Sequence, residues 1–300
     1  MGQPADSLET TPGSGTAVST VETPSGKDEA YENFPVGSFL LPARLRPHVT
    51  RFYRFARAID DIADNGALDA ETKVRRLSGF EAALLDPGSG DPDYATARRM
   101  RESLDETDIS PAHCQDLIDA FKQDAVKTRY DDWDDLMHYC IRSAAPVGRY
   151  LIDLHGGSSL GYGPSDALCN ALQVINHLQD LKDDYRTLDR VYLPGDWMAQ
   201  EGVTVEDLDR DAATPALRRV IDRCLDATEA LLIEARPIAP GMYNRRLGME
   251  AAVIWEIACR LTGLLRREDP IAGRVALSKA GYVWCCVKGV VGALTGRYAR

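Results

Sequence analysis

The sequence predicts an all-α fold, a single-domain helical bundle around a central cavity. Three observations carry that expectation. Apolar residues recur at three- and four-residue steps through most of the chain. Almost nothing reads as a strand, and no fixed-period repeat appears. Two acidic stripes with helical spacing lie far apart in the chain, which suits a site built from facing helices.

Taken in order, residues 1–29 are Ser, Thr, Gly, Pro and Glu and read as a disordered tail. The folded domain is therefore expected over 30–300. Order should begin near Tyr31 to Phe34, and Pro35, Gly37 and Pro42 argue for an irregular lead-in. Pro47 suits the first turn of a helix over 45–64, which Asn65-Gly66 stops. Further helices are expected over 70–85, 94–107 and 111–127, the last with Ser110 as N-cap. A long helix over 133–155 should kink at Pro146 and end at Gly156-Gly157. A loop to Ser165 leads into the helix that holds 169–189. Arg190-Val191-Tyr192-Leu193-Pro194 reads as an extended or looped exit, and 195–212 as short turns. Helices over 215–236, 247–267 and 273–294 close the chain.

Bulk properties narrow the functional classes. The chain has 300 residues and a net charge of −11, which argues against a general nucleic-acid binder. Seven cysteines without a C-x-x-C pair read as buried free thiols and not as a zinc site. No signal peptide and no membrane-spanning run is visible, so a cytoplasmic location is expected.

The chemistry concentrates in two stripes. Gln173, Asn176, Asp180 and Asp184 fall on one side of a helix that is otherwise mostly apolar in its first half. Buried Asn and Gln need partners, and stacked carboxylates repel unless a cation sits between them. The stripe is either a polar seam facing a metal-holding cavity or the wet face of an amphipathic helix. Tyr53, Arg57, Asp60 and Asp64 form a second stripe beside the apolar Phe52, Ala56, Ile59 and Ala63. Asp60 and Asp64 lie one turn apart, a spacing that suits a hard oxygen-loving cation such as Mg²⁺ shared with substrate phosphates. One D-x-x-x-D is common by chance; two such stripes favour the metal reading. Arg57 pairing with Asp60 or Asp61, and Asp61 solvated, are the duller readings of the first. His177 reads as a hydrogen-bonded neighbour.

These residues also carry a resemblance. Phe34, Leu40-Leu41-Pro42, Phe52-Tyr53 and the run from Arg57 to Asp64 resemble the opening of the squalene/phytoene synthases. Gln173 to Asn176, Asp180, Asp184 and the run from Arg190 to Pro194 resemble that family's second acidic motif. Tyr139-Cys140 and Val147-Gly148 resemble its middle helix. The resemblance covers about 31–290. It implies the head-to-head prenyl synthase fold and Mg²⁺-assisted ionisation of a prenyl diphosphate. The runs from Glu32 to Ser38, Pro146 to Gly148 and Arg274 to Lys279 are most similar to the bacterial members that turn presqualene diphosphate into hydroxysqualene in hopanoid pathways. Many relatives carry Arg before the second-motif aspartate, where this chain has Gln179.

The resemblance implies roles for single residues. Asp60, Asp64, Asp180 and Asp184, with Asn176, are expected to bind about three Mg²⁺, with Mn²⁺ as a substitute. Arg57 and Arg274 are expected at the diphosphate, with Asn33 and Gln173 among the substrate contacts. Tyr53, Phe34 and Trp255 are candidates to face a carbocation, with core packing the preferred reading of Tyr53 and Trp255. Tyr53, Asn176 and Tyr192 are candidate bases for the capturing water. The hydrocarbon is expected against Ala56, Ile59, Val147, Leu151, Leu172 and Ile175. No nucleotide loop is present, so NADPH is not expected. Implied pathway partners are a presqualene diphosphate synthase and a flavin-dependent squalene-forming oxidoreductase. A peripheral contact with the inner membrane is considered for the C-terminal helix, through Val283, Trp284, Val287, Val290, Val291 and Leu294, although ordinary packing is the preferred reading. The rivals are synthases of presqualene diphosphate, squalene or phytoene, a non-catalytic helical assembly factor, and an all-α phosphohydrolase.

Overall fold

The structure, a computed structural model, describes Val21 and residues 41–86, 88 and 92–299. The expectations for the tail, for the lead-in and for Asn33 and Phe34 lie outside those residues. The described chain is helical throughout, apart from one two-stranded pairing.

Helix α1 (Arg46–Ala63) starts with Pro47 in its first turn, where a missing amide is harmless. It packs against α2 (Ala70–Leu85), α3 (Ala95–Thr107) and α4 (Ala112–Asp124). Asp69 caps α2 by accepting from the Thr72 amide at 2.8 Å. Ser110 accepts from the Ala112 amide at the start of α4. Phe55, Leu77, Phe80 and Leu104 make the buried centre of this half.

The long helix expected around Pro146 is two helices, α5 (Trp133–Ser143) and α6 (Ala145–Leu154). Ala144 leaves helical geometry at φ −124°, and Pro146 falls in the first turn of α6, where its lack of an amide breaks nothing. Helix α7 (Tyr162–Gln179) crosses α6 closely. A Cβ on Gly148 would lie 2.2 Å from the Ser165 hydroxyl and 2.8 Å from the Cys169 thiol, so a larger residue would force both side chains to move.

The stretch expected as one helix to Asp189 also divides. Asp180, at ψ 10°, separates α7 from α8 (Leu181–Leu188). The amides of Asp180 and Asp184 still bond four residues back, at 3.0 and 2.8 Å, so the polar stripe stays roughly aligned across the break. The chain then forms β2 (Val191–Pro194), which pairs in parallel with β1 (Arg129–Tyr130). The expected short turns contain α9 (Gly195–Glu201), followed by a 3₁₀ turn over Val205–Asp209.

Helices α10 (Pro215–Ala235), α11 (Ile238–Gly241), α12 (Arg245–Leu265) and α13 (Lys279–Leu294) complete the fold. Thr214 and Asn244 cap α10 and α12. Helix α13 starts later than expected, because Ser278 caps it and Val275, inside the preceding segment, accepts from the Gln179 amide. Val174, Leu178, Ile221, Leu225, Ile257 and Leu261 centre the second half of the core. None of the seven cysteines is disulfide-bonded. No helix among the described residues is long and apolar enough to cross a membrane.

Gly289 lets α13 sit on the α12 backbone, since a Cβ there would lie 2.6 Å from the Val253 Cα. Alanine raises intrinsic helix propensity by about 1 kcal/mol, but the clash is with backbone and the helices must part. Gly289→Ala is expected to lower stability by about 1–2 kcal/mol in urea unfolding; a gain in stability would refute this close contact.

Candidate active site

A cavity of about 380 Å³ lies where the two core halves meet. Its wall is graded. On α1 it runs from Val49, Phe52 and Ala56 to Asp60 and, at the helix end, Asp64. On α7 it runs from Leu168 and Leu172 to Gln173 and Asn176, then to Asp180 and to Asp184 on α8. Both helices therefore pass from apolar to acidic toward their C-termini. Val147 and Leu151 of α6, with Ile238, Leu247, Ala251 and Ile254 of α11 and α12, extend the apolar lining.

Arg190 ties the acidic ends together. Its guanidinium donates to Asp64 Oδ1 at 2.6 Å, to the Ala63 carbonyl at 2.9 Å and to the Asp124 carbonyl at 3.2 Å. Burial opposes its charge, but Tyr192, Asp124 and Asp64 outweigh burial and hold it protonated. Strand β2 follows directly, so the short parallel pairing positions both Arg190 and Tyr192.

Beside it stands a buried polar cluster. The Tyr139 hydroxyl donates to Asp124 Oδ2 at 2.6 Å, and the Tyr192 hydroxyl to Oδ1 at 3.5 Å. Burial pushes the Asp124 carboxyl up to about 7, against the pull of Arg190 and of the Tyr139 hydroxyl. Burial, reinforced by Asp124, keeps both phenols protonated. His177 stacks on Tyr192 with ring centroids 3.6 Å apart. Burial, with Arg190 adding, lowers its pKa to about 3, so the imidazole is neutral.

Arg57 bridges Asp60 at 3.1 Å and Asp61 at 3.4 Å. Asp61 is thus largely buried and ion-paired, which corrects its reading as a solvated group. Gln179, buried, donates to the Val275 carbonyl at 2.5 Å. This bond pins the segment that brings Arg274 to 3.4 Å from Asp180. Arg274 thereby places a cation beside Asp180.

The structure brings Tyr53, Arg57, Asp60, Asp64, Gln173, Asn176, Asp180, Asp184, Tyr192 and Arg274 to one cavity. It leaves Trp255 out of the cavity lining: its indole donates to the Leu232 carbonyl at 2.8 Å, its ring meets Tyr298 edge-on, and it packs against the core. Ile59 and Ile175 are fully buried in the core and do not line the cavity. Residues that sequence reading passed over are Arg190, Asp124, Tyr139 and Glu250. Arg190 and Tyr139 stood inside recognised motifs without a role; Asp124 and Glu250 sat in ordinary amphipathic helices with no local signal.

At the acidic end the wall offers the oxygens of Asp60, Asp64, Asn176, Asp180 and Asp184, the chemistry of a hard cation. Among the described residues no three carboxylate, imidazole or thiolate groups converge into a preformed metal cage. That spacing fits Mg²⁺, which keeps several waters and is completed by substrate phosphate.

Loss of Arg190 leaves Asp64 and the Ala63 and Asp124 carbonyls without their buried donor. Arg190→Ala is expected to destabilise by about 3–5 kcal/mol in denaturant titration; an effect below about 1 kcal/mol would contradict the tie. His177 has a folded value well below the usual 6.5, so its contribution to stability is lost as pH falls from about 6.5 toward 3. Asp124, raised to about 7 from 3.8, has the opposite sign over much of that window. His177→Phe keeps the stack and isolates the imidazole: its acid limb should be shallower than wild type by up to about 1.4 kcal/mol per pH unit. Superimposable pH profiles would show that the imidazole is not buried neutral.

A family model described as squalene/phytoene synthase matches residues 28–280. A hydroxysqualene synthase of Rhodopseudomonas palustris is 43% identical over 265 residues, covering 88% of this chain and 90% of that protein. One from Zymomonas mobilis is 40% identical over 258 residues, covering 85% and 86%. A solved squalene synthase from Alicyclobacillus acidocaldarius superposes with a TM-score of 0.70 at 33% identity, over 79% of this chain and 89% of that one.

Proposed function

The chain belongs to the squalene/phytoene synthase family, and we propose that it converts presqualene diphosphate to hydroxysqualene. The observation that carries this reading is the graded cavity, acidic at one end and apolar at the other. Such a wall suits one amphiphile with an anionic head and a long hydrocarbon body. The similarity to hydroxysqualene synthases supports the choice of product within the family.

In this reading Asp60, Asp64, Asn176, Asp180 and Asp184 hold Mg²⁺. When bound, Mg²⁺ neutralises the departing diphosphate and lowers the barrier to breaking the C–O bond. Arg274 and Arg57 lie at the same end and hydrogen-bond the diphosphate oxygens as charged donors. The bonding electrons leave with the diphosphate. Phe52, Val147, Leu151, Leu168 and Leu172 enclose the carbocation in apolar surroundings and keep stray water out while the skeleton rearranges. Tyr53 presents a ring to the positive charge. A single water then adds its oxygen to the cation and must lose a proton. Asp124 receives that proton through the Tyr139 or Tyr192 hydroxyl, both of which reach it and the cavity. No hydride enters, so no nicotinamide cofactor is required.

Residues 30–300 are proposed to act as one domain. A synthase of presqualene diphosphate supplies the substrate and a flavin-dependent oxidoreductase consumes the alcohol. A cytoplasmic location, with peripheral contact at the inner membrane, belongs to the same reading.

Purified protein given presqualene diphosphate and Mg²⁺, without reductant, should yield hydroxysqualene in the lipid extract by mass spectrometry. Asp60→Asn and Asp180→Asn should each lower turnover by about 10³-fold or more with helical circular dichroism unchanged. Squalene or phytoene made from two prenyl diphosphates, or full activity in either variant, would overturn the reading.

A further inference from the structure

Helix α13 is turned inside out for a surface helix. Its buried positions are Cys285, Gly289 and Gly292, the two glycines meeting α12 and the Tyr298 ring through bare backbone, and Tyr282, Cys286 and Val290 pack beside them half-buried. Its other large apolar side chains point outward. Val283 is 60% exposed, Trp284 63%, Val287 52%, Val291 53% and Leu294 59%. Val283, Val287, Val291 and Leu294 follow helical steps and make one continuous stripe, with Trp284 beside it. A continuous apolar stripe on the outside of a protein marks a place where something else binds. Ordinary packing, the reading preferred from sequence, holds only for Val290, which is half-buried against the core.

Charge tells what that is. The protein carries −11, yet its sequence from 270 to 300 has no Asp or Glu. Apart from Arg274, which faces Asp180 in the cavity, it has Lys279, Lys288, Arg297 and Arg300. Lys288 and Arg297 share one buried carboxylate, Glu256, at 2.6 and 3.9 Å, which leaves excess positive charge beside the stripe. Exposed Lys279 stands at the helix start, and exposed Arg260 of α12 lies within electrostatic reach of Cys285. Greasy residues, an outward Trp and a basic surround on an acidic protein match an anionic lipid surface. A second copy docked through the same face would bring like charges together across the symmetry axis.

We propose that the α13 face seats the protein on an anionic lipid bilayer. Membrane placement belongs to the functional reading above; the surface and the headgroup charge it selects go beyond it, and rest on exposure and charge alone. The seat also has a use. Helix α13 lies along α12, and α12 contributes Leu247, Ala251 and Ile254 to the apolar wall of the cavity. Only α13 and α12 then stand between the bilayer and the site that takes a water-insoluble substrate.

Flotation of the full-length protein with vesicles tests this. Wild type should partition at least about tenfold better onto phosphatidylcholine vesicles containing phosphatidylglycerol than onto phosphatidylcholine alone, and lose that advantage in high salt. The Val287→Glu, Val291→Glu double variant should bind the anionic vesicles about tenfold less or weaker still. Its thermal unfolding and its turnover of detergent-dispersed presqualene diphosphate should stay as in wild type. Lys279→Glu, which spares the stripe, should weaken anionic binding about fivefold or more. Equal vesicle binding by the double variant, or no wild-type preference for anionic lipid, would overturn the proposal. So would a wild-type dimer in sedimentation that the double variant abolishes while neither form floats. Normal flotation with no turnover would count against the catalytic reading and leave the lipid seat standing.

Discussion

Carboxylates gathered around one cavity repel one another, and the rest of the architecture answers that repulsion. Asp60, Asp64, Asp124, Asp180, Asp184 and Glu250 all reach the same wall. In a low-dielectric interior such a set is strongly unfavourable unless cations or protons intervene. The protein supplies three guanidinium groups, Arg57, Arg190 and Arg274, and holds each against a named acid. Only Arg190 is deeply buried, and it is also the most completely satisfied. A buried ion pair of this kind adds little net stability, but removing one partner leaves an uncompensated charge. Its value is in fixing where the end of α1 lies relative to β2. The remaining negative charge is what a diphosphate with its divalent ions would complete.

The second feature is the direction of the grading. Because α1 and α7 both change from apolar to acidic along their length, the two changes coincide at one end of the cavity. That arrangement separates a polar compartment for a leaving group from an apolar one for a carbocation. Gln179 contributes without touching substrate. It spends its buried amide on the Val275 carbonyl and so delivers Arg274 to Asp180.

Much of this was legible in the sequence, because helical periodicity and aspartate spacing are local properties. The helix over Ala70–Leu85 and the Asp60, Asp64, Asp180 and Asp184 stripes needed only neighbours three and four residues away. What stayed hidden depends on distant partners. Asp124 and Arg190 meet only after folding, and the extended exit read over 190–194 became a strand only through its distant partner β1, while the break at Asp180 had no local signal. Trp255 is a core residue, the preferred reading, and not the cavity residue it was also a candidate for, because residue type and spacing on α12 do not say which apolar side meets the cavity. Helix α13 misled for the same reason: its glycines, not its valines, turned out to be the packing side.

Isothermal titration of Mg²⁺ into the protein, with inorganic pyrophosphate present, bears most directly on the claim that the two acidic ridges act together. The account predicts saturable binding that Asp64→Asn alone and Asp184→Asn alone each weaken by about tenfold or more, since the ions are shared between ridges. Unchanged affinity in either variant, with the fold intact, would contradict it.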